Sequence, residues 1–139
     1  PTGQHGFTLI EIMVVVVILG ILGALIVPNI ISKPEQARVV SAQADLRAIA
    51  TALNFYLLDN STYPSSEQGL EALVTEPSGY PEPKKWGPDR YLDRVPIDPW
   101  GEPYLYSSEG SREFEIYSFG ADRREGGEGF DADIYYSRL

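Results

Sequence analysis

The chain has 139 residues, with 20 Asp and Glu against 11 Lys and Arg, for a formal charge of −9. Its basic residues are scattered and adjacent only at Lys84-Lys85 and Arg123-Arg124, which excludes the clustered basic face that a phosphate backbone requires. Having no cysteine, it forms no disulfide, thiol nucleophile or Cys-type zinc site, so a small head needs another staple, such as a metal ion or packing in an assembly.

Residues 7–27 are apolar except for Thr8, Glu11, Gly20 and Gly23. A bilayer core about 30 Å thick takes roughly 20 apolar residues in helix, so this stretch is expected to span a membrane. An ionised carboxylate in hydrocarbon costs about 3 kcal/mol or more, so Glu11 asks for a partner. From spacing alone, Glu11 is either an incidental acid near the end of a signal anchor or half of an ion pair with a cation from another chain. A conventional secretory signal fits poorly, because no small-x-small cleavage site follows a short apolar core. About 100 residues remain beyond the span, enough for one small globular head.

Pro28 should remove one helical hydrogen bond and kink or loosen the rod there. Pro34 fits a first helical turn or a local irregularity. Beyond it, Val39, Ala42, Leu46, Ile49, Leu53 and Tyr56 recur at spacings of three and four, predicting an amphipathic helix to about Leu58. Gln43, Asp45, Arg47 and Asn54 fall off that stripe. The expected architecture is one helix whose first half (7–27) lies in the membrane and whose second half (28–58) backs a head formed by 59–139. In the head, Ser65 and Gln68 make a capping box before a short helix over 69–74. Seven prolines lie in 77–103, with Pro64 just upstream, and that density predicts an ordered loop crossing the head. Asp98-Pro99-Trp100-Gly101 reads as a turn with proline second. Strands are predicted at 104–106 and 114–119, joined through 107–112, and 134–136 either adds an edge strand or simply packs. The fold class is α+β, with a long N-terminal helix on a small antiparallel sheet.

The last chemical feature is the run DRREGGEGFDAD at 122–133. Calcium takes six to eight hard oxygens, and glycines let carbonyls turn inward. The spacing is not that of an EF-hand, and from spacing alone a solvated acidic turn fits as well as a metal site. Catalysis finds no support: His5 is the only histidine, and no cleft of convergent catalytic groups is legible. Trp86, Trp100 and the nine tyrosines read as packing and subunit contacts.

Gly6-Phe7-Thr8-Leu9-Ile10-Glu11 resembles the cleavage and assembly motif of type IV pilins and pseudopilins. Tyr63-Pro64, 68–73, Tyr91-Leu92, Pro96 with 98–101, and 117–122 are similar to the major pseudopilin of the bacterial type II secretion system. The resemblance implies a type IV pilin-like fold and cleavage by a prepilin peptidase between Gly6 and Phe7, followed by methylation of the new amine. Residues 1–6 are then a leader remnant; they carry no Lys or Arg, which reads as truncation of a basic leader. It also implies that Glu11 neutralises the Phe7 amine of a neighbouring subunit and sets axial register; such a pair is tolerable together and expensive apart.

For 122–133 the resemblance implies one calcium, with Asp122, Asp131 and Asp133 as carboxylate ligands and carbonyls of Phe119 and Arg124 as backbone ligands. Arg123 and Arg124 are unusual there, and Glu125 and Glu128 remain alternative carboxylates. The implied function is structural, without enzymatic activity: a subunit polymerising into the periplasmic pseudopilus that drives export of folded proteins. Implied partners are copies of itself, minor pseudopilins, the inner-membrane assembly platform and the peptidase. The implied location is single-pass in the inner membrane, with the head in the periplasm. An adhesive or motility pilin is the second reading; such pilins typically close their C-terminal region with a disulfide, which this chain cannot form.

Overall fold

The structure is a computed structural model that describes residues 6–109 and 112–139, with the side chains of 25–32 outside the described set. Residues 1–5 of the expected leader therefore lie outside the described residues. The chain divides into two compact units, one ending at Gln36 and one running from Ala37 to Leu139.

Helix α1 is Leu9–Asn60. It starts where Thr8 and Glu11 cap each other. The Glu11 N–H donates to Thr8 Oγ1 at 3.1 Å and the Thr8 N–H donates to Glu11 Oε2 at 3.3 Å. This reciprocal pair satisfies two of the orphan donors of a helix start. The helix ends at Ser61, whose left-handed φ of 66° turns its N–H back onto the Leu57 carbonyl at 2.8 Å. Helical structure runs through both Pro28 and Pro34. The expectation of Pro34 at a first turn is corrected: it sits in the helix interior, where a proline costs one hydrogen bond and on the order of 3 kcal/mol without ending the element. In the first unit, every described side chain from 7 to 22 is exposed, Phe7 at 83%. Among the described residues no helix is long and apolar enough to cross a membrane; side-chain description stops at Ala24, so the expected 7–27 span extends outside it.

In the second unit the predicted stripe is the core. Ala42, Leu46, Ile49, Leu53 and Tyr56 are fully buried, with Val39 packed at the edge. They pack with Leu70, Ala72, Leu73, Tyr104, Ile116 and Ile134 into one cluster. The sheet is antiparallel in the order β1 (Leu105–Ser107), β2 (Glu115–Ser118), β3 (Ile134–Tyr135). Leu105 pairs with Tyr117 and Tyr117 with Tyr135, so β3 is an edge strand, as β1 is, rather than loose packing. On β2, Ile116 and Ser118 point inward while Glu115 and Tyr117 are half-buried, the alternation of a one-sided sheet. The first strand begins one residue later than 104–106. Tyr104 is instead buried against α1, with its hydroxyl donating to Asp45 Oδ2 at 2.7 Å.

The Ser65–Gln68 capping box forms as expected, at 2.9 and 3.1 Å. The element after it is a 3₁₀ turn, Leu70–Leu73, and not the short α-helix expected over 69–74. The Leu73 carbonyl accepts from the Tyr91 and Leu92 N–H groups at 2.9 and 3.0 Å, so it is unavailable to continue a helix. The proline-rich segment is ordered through its anchors. Buried Asn60 accepts from the Lys85 N–H at 2.9 Å, Trp86 Nε1 donates to the Ala72 carbonyl at 2.8 Å, and Gln68 Nε2 donates to the Pro81 carbonyl at 2.9 Å. The turn at Asp98 closes through a Gly101 N–H to Asp98 carbonyl bond of 3.0 Å, with Gly101 at φ +91°.

Tyrosine burial gives the head an alkaline limit. Burial pushes the Tyr56 phenol up to about 12, and burial followed by the Asp45 carboxylate pushes Tyr104 up further; Tyr106 is raised by burial. A folded-state value above the unfolded one, near 10, leaves stability intact below that pH and removes it as pH rises through the folded values. The melting temperature is therefore expected to be flat from pH 8 to about 9.5 and to fall steeply between about pH 10 and 12. Tyr104→Phe should soften that fall. A melting temperature independent of pH up to 12 would refute the assignment.

Candidate functional site

At the N-terminus, Gly6 and Phe7 precede the first helical turn and both are exposed, leaving the bond between them open to a peptidase. Glu11 is exposed and its carboxylate already engages the Thr8 amide, a long bond at 3.3 Å. The capping role of Thr8 is what the sequence reading missed. Its signal is present as Thr-x-x-Glu, a capping box concealed within an apolar run read for membrane length and for its motif.

The acidic loop is shaped by left-handed residues: Arg123 at φ 59°, Gly126 at 88°, Gly127 at 98° and Gly129 at 62°. Asp122 Oδ1 accepts from the Arg124 N–H at 3.0 Å, a local Asx turn. Asp133 Oδ2 accepts from the Gly126 N–H at 2.9 Å and so ties the end of the loop to its middle. Its other oxygen, Oδ1, is buried without a hydrogen-bond partner. A Cβ at Gly127 would lie 2.5 Å from the Asp131 carbonyl oxygen, and one at Gly120 would lie 2.6 Å from that of Ala132. Backbone carbonyls thus crowd positions that only glycine tolerates.

The structure brings the five expected ligands together only in part. Among the described residues no three acidic, His or Cys side chains converge as a metal site, so Asp122, Asp131 and Asp133 do not meet. Asp131 stands at the end of a 3₁₀ turn, Gly129–Asp131, with its N–H on the Glu128 carbonyl at 3.1 Å. Phe119 lines a cavity of 260 Å³ with Asp98, Glu102, Gly120 and Arg123. Glu125 and Glu128 are exposed. Arg123 reaches out of the loop to the 98–102 turn: Nη2 donates to the Trp100 carbonyl at 2.6 Å and Nη1 stands 3.6 Å from Glu102. Asp133 Oδ1, buried without a partner, is the kind of oxygen that a cation satisfies. A calcium shell completed by Asp122, Asp131 and loop carbonyls would require these side chains to be drawn in toward Asp133, because they do not converge on it in this structure.

Asp98, read from the sequence only as a turn residue, does more than that reading gave it. Asp98 is only 5% exposed and accepts three hydrogen bonds: from the Trp100 N–H at 3.1 Å, the Glu102 N–H at 2.8 Å and the Ser118 hydroxyl at 2.8 Å. The Asp-Pro pair signals the turn, but nothing local signals Ser118, 20 residues away.

Comparison with known proteins places this geometry. Residues 1–27 match the family model described as prokaryotic N-terminal methylation motif, and residues 29–137 match that of type II secretion system (T2SS), protein G. The chain is 60% identical over 132 residues to type II secretion system core protein G of Pseudomonas aeruginosa, covering 94% of this chain and 93% of that one. It is 51% identical to the core protein G of Vibrio cholerae, covering 94% and 90%. The crystal structure of the major pseudopilin from the type 2 secretion system of enterohaemorrhagic Escherichia coli superposes with a TM-score of 0.69 at 38% identity, covering 81% of this chain and 96% of that one. The long helix and the three-stranded antiparallel sheet are thus the pilin-like fold of that structure, and the chain belongs to the type II secretion system protein G family.

Proposed function

We propose that the chain is the structural major pseudopilin of a type II secretion system, which polymerises into a periplasmic pseudopilus and so drives folded proteins across the outer membrane. The observation that carries this reading is the motif at 6–11 placed at the start of a helix whose apolar side chains from 9 to 22 are all exposed. Such a surface is unstable in water and needs either lipid or copies of itself. Lipid holds the chain before assembly, as a single-pass inner-membrane protein with its head in the periplasm. Neighbouring copies replace the lipid afterwards. Cleavage between Gly6 and Phe7 creates an amine, and Glu11 exchanges its weak bond to Thr8 for that amine on the next subunit. Minor pseudopilins, the inner-membrane platform and the prepilin peptidase are the other partners. Calcium at Asp133, with Asp122, Asp131 and the carbonyls of Phe119 and Arg124, is the staple of a head that has no disulfide.

Deleting the chain from its host and comparing the secretome with surface piliation and twitching tests the reading. Loss of secreted proteins with intact twitching is the expected result. Lost twitching with an unchanged secretome would favour the adhesive-pilin reading instead.

A further inference from the structure

Asp98 does more than its turn requires. A turn of this kind is complete once Oδ1 accepts the Trp100 and Glu102 amides. Oδ2 adds nothing to the turn and reaches Ser118 at the end of β2 instead. The Ser118 oxygen, itself buried, accepts from the Gly120 N–H at 3.2 Å. Gly120 sits at φ +79°, wedged against the Ala132 carbonyl, and two residues later comes Asp122. One buried carboxylate thereby fixes the 98–102 turn on one side and the entry to the acidic loop on the other. Arg123 makes a parallel tie through the Trp100 carbonyl. The far limb of the loop is held differently, by Asp133 on Gly126.

We propose that Asp98 is the positioning residue of the acidic loop: acting through Ser118, it sets the limb 119–122 in place before any cation arrives. The two oxygens of one carboxylate divide the work, Oδ1 accepting the turn amides and Oδ2 the serine hydroxyl, which a serine at 98 could not do. The consequence for an ion is a smaller ordering cost on binding, since the limb that enters the loop is already fixed. That consequence rests on the calcium reading above; the tie itself does not.

The test uses the full chain in detergent micelles. Amide hydrogen exchange is measured under chelator for the wild type, Ser118→Ala and Asp98→Asn, and calcium affinity is then measured by calorimetry. Ser118→Ala should speed exchange at Gly120 and the amides through Arg124 about five- to tenfold, the size of one lost hydrogen bond, while Leu46 to Leu53 stay protected. The calcium Kd should rise by a similar factor. Should Asp98→Asn fail to fold, Ser118→Ala still decides. Unchanged exchange in a folded Ser118→Ala protein overturns the proposal, whatever calcium does. Faster exchange with an unchanged Kd overturns the claim that the tie prepares an ion site. A wild type that binds no calcium removes the calcium reading alone, and exchange then judges the tie.

Discussion

Glu11→Ala is expected to leave the chain inserted in the membrane and its head folded while reducing filament yield about 100-fold. Two interactions disappear together. One is local: the carboxylate caps the Thr8 amide at 3.3 Å, worth on the order of 1 kcal/mol at an exposed helix start. The other is the proposed pairing with the Phe7 amine of a neighbouring subunit. Truncating one partner of a desolvated pair leaves the other charge uncompensated and costs about 3–5 kcal/mol, a factor of 100 or more in each association step. Glu11→Gln separates the two contributions, since its amide oxygen still caps Thr8 but carries no charge. Filament yield by quantitative electron microscopy should collapse in both variants. Wild-type yield from Glu11→Gln would mean that the cap, and not the charge, is what assembly needs; wild-type yield from both would remove Glu11 from assembly altogether.

Calcium removal is expected to give the second large effect. Five carboxylates lie within 122–133, at Asp122, Glu125, Glu128, Asp131 and Asp133, and Asp133 Oδ1 is buried without a partner. An ion that binds only the folded chain stabilises by RT ln(1 + [L]/Kd), about 2.7 kcal/mol at a hundredfold excess over Kd. For a head of about 100 residues that corresponds to roughly 4–8 °C per kcal/mol, so chelation should lower the melting temperature by about 10–20 °C. Asp133→Asn should reproduce the loss and leave little further effect for chelator. Asp122→Ala should do so as well, with some of its effect coming from the lost Asx turn to Arg124. If calorimetry detects no binding and chelation leaves melting unchanged, the loop is a solvated turn and the orphan oxygen of Asp133 is satisfied by water.

Legibility in the sequence depends on period and locality. The stripe from Val39 to Tyr56 repeats at helical spacing, and the same residues fill the core. The Ser65–Gln68 box is readable because both partners lie within four residues. The start of β1 differs from expectation because Tyr104 looks like a strand residue, yet its side chain serves the helix through Asp45, 59 positions earlier. The 3₁₀ turn at Leu70–Leu73 is hidden because its limit is set by amides of Tyr91 and Leu92, far along the chain. The Asp98–Ser118 tie is non-local for the same reason. At the acidic loop, composition announces carboxylates and glycines. Which oxygens face inward depends on the four left-handed residues 123, 126, 127 and 129, and spacing does not encode that. The unread capping box at Thr8 is a different failure, because a strong membrane signal hides a weaker local one.

The most direct test of polymerisation through the N-terminal helix is a high-resolution map of the filament formed by this chain. The expected result is a homopolymer in which the apolar side chains of 7–24 are buried between subunits, with each Glu11 carboxylate within ion-pair distance of the Phe7 amine of its neighbour. A filament in which Glu11 faces solvent or lipid, or in which the helices of 7–24 make no contact with one another, would contradict it.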